Sequence, residues 1–129
     1  MGDITKNFNR ADFLCHCAVC HENPARPSTK IEVIHALQDV RDLYGKPIIV
    51  TRGVSCVPYN AAIGGVSDSR HLEKHADAVD LAHNSGEEAF ELVSALMTLG
   101  KFTVIRVYPK HIHADMRPGA RRFLASPWL

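Results

Sequence analysis

The chain has 129 residues, 46% of them hydrophobic, and 15 basic against 14 acidic side chains leave a net charge of +1 with the histidines neutral. Such a length suits one domain with a core of its own, so a single domain over 1–129 is expected. The even charge argues against a dedicated nucleic-acid or anionic-membrane binder, and no apolar run approaches the roughly 20 residues that cross a bilayer.

Residues 1–9 read as a loose polar leader with no apolar signal-peptide core. The product as synthesised is therefore expected to stay in the cytoplasm unless something else releases it. Arg10 to Leu14 reads as a helical turn, and residues 1–27 together as a cysteine-containing leader and loop. Cys15, His16, Cys17, Cys20 and His21 crowd into seven positions, with Cys56 the only other thiol. Thiolates bind zinc well, so one reading is a structural metal, although no second Cys-x-x-Cys follows. The other readings are free thiols, the default without a secretion signal, or a disulfide from Cys56 into the cluster.

Thr29-Lys30-Ile31-Glu32 has capping-box spacing and predicts a helix, with Ile34, Leu37, Val40 and Tyr44 as its core stripe and Gly45 as its stop. His35 on that helix is expected to be structural or exposed. Ile48–Thr51 predicts a buried strand, and Pro58–Ile63 a short helix closed by Gly64-Gly65, with Gly65 supplying a positive φ. Ser69–Ala82 predicts two short strands around a turn of Glu73–Asp77. Ser85-Gly86-Glu87-Glu88 is a second capping box, opening a helix to Leu99 whose face of Ala89, Leu92, Val93, Leu96 and Met97 is set to pack on Val79 and Leu81. Phe102–Tyr108 predicts a strand, Pro109-Lys110 a tight turn, and Lys110 or His111 the start of an antiparallel partner. Phe123 and Trp128 in the basic, then apolar, tail would seal the core or mark a contact surface. The expected fold is α+β: a small antiparallel sheet packed against two main helices.

The polar residues on these strands are the conspicuous feature. Strand alternation puts His111, His113 and Asp115 on one face, and Ala78, Asp80 and Ala82 on one face of the earlier strand. Clustered imidazoles and carboxylates with small alanines beside them point to a metal, because unpaired buried polar groups cost too much. Neutral imidazole and carboxylate suit zinc, with three protein ligands and an open position in its catalytic form. A zinc nucleobase deaminase fits poorly, since no Pro-Cys-x-x-Cys accompanies a His-x-Glu.

The order His…Asp…His, opened by Ser69-Arg70-His71-Leu72, continued by Ala78-Val79-Asp80 and closed by Tyr108-Pro109 and His111-Ile112-His113-Ala114-Asp115, resembles the zinc D-alanyl-D-alanine carboxypeptidases and phage endolysin peptidases. The hedgehog signalling domain shares that metal site. Lys46–Thr51 and Tyr59–Gly65 extend the resemblance, which runs from about Phe8 to Arg122. It implies one zinc per chain on His71, Asp80 and His113, with His71 preferred to His75 for its Ser-x-His context. It also implies hydrolysis of peptidoglycan stem peptides by a monomer through a zinc-activated water.

Three departures stand out. The family's aspartate falls seven residues after the first histidine, where Ala78 stands, so Asp80 requires a turn longer by two. The arginine that meets the substrate carboxylate aligns with Ser55, leaving Arg52 or Arg70 to replace it. The position of the base is occupied by neither an acid nor a histidine, since Tyr108 and Lys110 stand there. His111, on the metal face, is therefore the expected catalytic group, and Asp115 the residue that orients a ligand histidine. The alternative is a module of the same fold that binds zinc without catalysis.

Overall fold

Helical spacing and strand alternation become elements close to where the sequence puts them. The computed structural model describes residues 2–21 and 26–125; Trp128 and the side chain of His21 lie outside the described residues. In order come a 3-10 turn at Arg10–Phe13, α1 (Ala18–His21), α2 (Ile31–Tyr44), β1 (Val50–Arg52), α3 (Val57–Ala62), β2 (Ala78–Ala82), α4 (Gly86–Leu99), β3 (Val104–Val107), β4 (His111–Asp115) and β5 (Arg122–Ala125). The class is α+β, as expected.

The stripe of α2 buries Val33, Ile34, Ala36, Leu37 and Val40, and Gly45 ends the helix in the left-handed region. His35 is exposed. The expected capping box at Thr29–Glu32 does not form: Lys30 is the N-cap and supplies no side-chain bond. Thr29 is buried, and its hydroxyl donates to the Phe13 carbonyl at 3.3 Å, a tertiary contact that outcompetes the local cap. At α4 the N-cap half of the expected box forms, with Ser85 Oγ accepting from the Glu88 amide. Ala89, Leu92, Ala95 and Leu96 of α4 join the α2 stripe and Val79, Leu81, Ile105, Ile112 and Ala114 of the sheet in one core, while Met97 stays exposed. Each fully buried leucine, isoleucine or valine there stabilises the fold by about 1.5–3 kcal/mol.

The sheet has the order β1-β2-β4-β3-β5. All pairings are antiparallel except β3 with β5, so the sheet is mixed, with the parallel strand at the edge away from β2. Helices cover one face, which takes Val79, Leu81, Ile105, Ile112 and Ala114. The opposite face carries the polar residues of β2 and β4. Register lines two of them up with an arginine on either side: Arg52 of β1 opposite Asp80, Asp80 opposite His113, and His113 opposite Arg106 of β3.

Three local expectations are corrected. The strand expected at 48–51 forms at Val50–Arg52 on the sheet edge, and Ile49 is 63% exposed rather than buried. The strand expected around His71 is absent. Leu72 N bonds Ser69 O, and His75 N and Ala76 N both bond Leu72 O, so local turns take the amides a ladder would need; only a bridge between Ser55 and Leu72 remains. The leader is not loose: Phe8 is buried and packs edge-on against Phe13 in the main core. Phe123 lies on edge strand β5, partly exposed under the Arg121 guanidinium.

Candidate metal centre

His71 owes its position to short-range bonds. Its amide donates to Ser69 Oγ at 3.2 Å, which explains the Ser-x-His pattern physically. Its carbonyl accepts from Ser55 N at 2.8 Å. Its ring Nδ1 lies 2.7 Å from the Gly53 carbonyl. A carbonyl only accepts, so Nδ1 carries the proton and Nε2 presents a lone pair. Gly53 is required here because a Cβ would stand 2.7 Å from the Phe13 backbone.

Asp80 and His113 face each other across β2 and β4. Nε2 of His71 lies 3.1 Å from Asp80 Oδ1 and 3.3 Å from His113 Nδ1, and the last two atoms are 3.1 Å apart. The far nitrogen of His113, Nε2, donates to Asp115 Oδ2 at 2.7 Å. Asp115 is fully buried and also accepts from Arg117, through its backbone amide and the Nε–Nη2 edge of the guanidinium.

Two bare imidazole nitrogens and a carboxylate oxygen thus converge with no donor between them. A tetrahedral zinc with bonds of about 2.0–2.1 Å sets its ligands about 3.3 Å apart, which is close to the three observed spacings. A single proton satisfies one of the three contacts, whereas a cation satisfies all of them. The donor set therefore fits zinc, and among the described residues the only other group with metal-ligand spacing is the cysteine cluster.

The electrostatics agree with a site built for a cation. Burial opposes the charge of Asp80, but the neighbouring His113 and His71 imidazoles outweigh it and hold the carboxyl well below the usual carboxylate range. Burial also pushes the His113 imidazole down, yet the carboxylates of Asp115 and Asp80 beside it prevail and raise it above its ordinary value.

The three groups open into a cleft of about 330 Å³ that is also lined by Arg52, Arg70, Arg106, Tyr108, His111 and Arg117. His111 stacks on the Tyr108 ring, with centroids 4.6 Å apart, and burial lowers its pKa below the ordinary value. Arg52 is held by Ser55 Oγ at 2.9 Å and Asn60 Oδ1 at 2.7 Å. Ser55 thus supports an arginine that reaches the cleft from three positions earlier. Arg70 is committed to Asp77 through the Nε–Nη2 edge of its guanidinium.

Other residues fall elsewhere. His75 pairs with Asp68 at 3.0 Å, away from the three converging atoms. Glu73 lines a separate cavity with Cys56 and Leu72. His83 is buried with Nε2 against the Tyr108 carbonyl. Arg106, Arg117, Ser55 and Asn60 were not singled out as site residues from sequence. The arginines are ordinary surface residues until register and packing bring them to the cleft. Of the two glycines after α3, Gly64 takes the positive φ, and Gly65 is needed because a Cβ would stand 2.1 Å from Asn60 Oδ1.

No curated protein matches the chain. The peptidase M15 family does match, over residues 6–115, a span that contains the His71–Asp80–His113 triad, the row of facing residues and all but one of the cleft-lining residues. With that match over most of its length, the chain belongs to the peptidase M15 family of zinc metallopeptidases.

Proposed function

We propose that this protein is a zinc peptidase acting on peptidoglycan stem peptides, with one zinc held for catalysis by His71, Asp80 and His113. The observation that carries the reading is the convergence of His71 Nε2, His113 Nδ1 and Asp80 Oδ1 at 3.1–3.3 Å in a cationic cleft. Zinc bound there would supply Lewis acidity and lower the pKa of water in its open position to about 7.

The chain's own residues supply the rest. Gly53 and Asp115 fix the two imidazoles from behind, so both lone pairs are aimed before any metal arrives. His111, neutral at pH 7 because burial lowers its pKa, takes the proton of the attacking water and returns it to the leaving amine. Tyr108 holds the His111 ring flat by stacking.

Arg52 and Arg106 sit at the two ends of the Arg52–Asp80–His113–Arg106 row. Among the described residues neither has a carboxylate partner: Arg52 is bonded to neutral oxygens, and Arg106 Nη1 donates to the Tyr108 hydroxyl at 3.3 Å. They are the groups we assign to a substrate carboxylate, and stem peptides are rich in carboxylates. Arg70 serves by holding Asp77 and the turn after His71.

The test is digestion of purified peptidoglycan and defined muropeptides by zinc-loaded protein, read by mass spectrometry, with His113→Ala as control. Release of a terminal D-alanine indicates a carboxypeptidase, and internal cleavage an endopeptidase. No cleavage by a fully zinc-loaded protein would refute the reading and leave a non-catalytic zinc module.

A further inference from the structure

Folding brings Cys56 to the three cysteines of the N-terminal segment. The Sγ atoms of Cys15, Cys17, Cys20 and Cys56 all lie within 4.8 Å of one another, and those of Cys17 and Cys56 are 3.7 Å apart. That is far longer than the roughly 2.05 Å of a disulfide. It is close to the separation of about 3.8 Å between two thiolates on a tetrahedral zinc with Zn–S bonds of about 2.3 Å. His16 is exposed and takes no part.

Two backbone amides already point at the sulfurs: Cys20 N donates to Cys17 Sγ at 3.3 Å, and Cys56 N to Cys15 Sγ at 3.4 Å. Such bonds stabilise a thiolate, the form of cysteine that binds a metal. The surroundings also need a staple. Among the described residues the small cluster beside the sulfurs has Cys15, Val54 and Ala76 as its buried members, with Cys17, Cys20, Cys56 and Tyr59 partly buried against it, which is little apolar area to anchor residues 10–20 to the loop at 53–56.

We propose that the four cysteines bind a second, structural zinc as a closed tetrathiolate, separate from the histidine–aspartate site. Its place in the fold gives it a task. Cys56 follows Ser55 and Gly53, whose amide and carbonyl hold the His71 backbone and ring. A metal on Cys56 therefore fixes the loop that aims the first ligand of the other site. The four sulfurs leave no open position, so this ion takes no part in hydrolysis.

Cobalt(II) distinguishes the two sites without any assay of peptidase activity. Thiolate ligands give an intense sulfur-to-cobalt charge-transfer band in the near ultraviolet, which imidazole and carboxylate do not. We expect wild-type protein to bind two metal equivalents and to show the band, and His113→Ala to keep the band with one equivalent. Cys17→Ser and Cys56→Ser should lose the band and one equivalent. A thiol-specific mercurial should release one zinc from the wild type. The proposal is overturned if folded wild-type protein takes up cobalt with no charge-transfer band. It is equally overturned if native protein titrates four reactive thiols while one zinc stays bound, or if mass spectrometry finds a Cys17–Cys56 disulfide. The wild-type measurements decide the matter even if a cysteine variant fails to fold.

Discussion

Replacing Asp115 by asparagine probes the support behind the metal site without touching a proposed ligand. Asp115 is wholly buried and receives four bonds: His113 Nε2 at 2.7 Å, and the Arg117 amide, Nε and Nη2 at 3.1, 2.9 and 2.6 Å. Asparagine keeps the shape but removes the charge and offers one acceptor oxygen instead of two. Either His113 or Arg117 must then face an amide NH₂. Losing a hydrogen bond to a charged group costs about 1.5–3 kcal/mol. Changes behind a metal-binding histidine usually weaken metal affinity by about 10–100-fold, equivalent to about 1.4–2.7 kcal/mol. We therefore expect Asp115→Asn to raise the zinc Kd of the histidine site by that factor. The assay is competition with a chromophoric chelator, following the metal equivalent that a mercurial does not release. Folded Asp115→Asn protein with wild-type zinc affinity would refute the claim that Asp115 aims His113.

His111→Ala is expected to retain its zinc and lose at least ~10² in kcat on a muropeptide, the lower end of general acid–base assistance, and near-wild-type turnover would remove His111 from the mechanism. Because burial lowers its pKa, His111 stays neutral below its ordinary titration range and loses base function only as the pH falls through the lowered value. The acid limb of kcat/KM should thus lie below about pH 6.5, checked with zinc content measured at each pH. Arg70→Ala strands a nearly buried Asp77, so a loss of roughly 3 kcal/mol in urea unfolding is expected, with KM little changed in protein that remains folded. Gly65→Ala drives a Cβ into Asn60, the residue that holds Arg52. A stability loss of about 1–3 kcal/mol is expected together with a raised KM, and an unchanged KM would separate Asn60 from substrate binding.

Much of this protein is determined by local rules that act within a few residues. Apolar spacing places α2 and α4, and Ser85 caps α4 through its own Glu88 amide. Alternation in β4 puts His111, His113 and Asp115 on one face. The Ser-x-His turn holds His71 by a bond spanning two residues. These features depend on helical and strand periodicity, so sequence order alone carries them.

Other features required the chain to fold. Which strands pair, and in what register, decides that Arg52, Asp80, His113 and Arg106 form one row; no spacing in the sequence encodes the order β1-β2-β4-β3-β5. Which of His71 and His75 stands beside Asp80 and His113 is decided by the Gly53 carbonyl on one side and Asp68 on the other. Thr29 gave up its cap for a carbonyl 16 residues away, and Phe8 turned a polar leader into part of the core. Cys56 meets Cys15, Cys17 and Cys20 only because the loop after β1 packs on the N-terminal segment. The physical reason is the same in each case. Long-range hydrogen bonds and shared burial compete with local preferences, and the outcome depends on partners that the chain itself must first bring together.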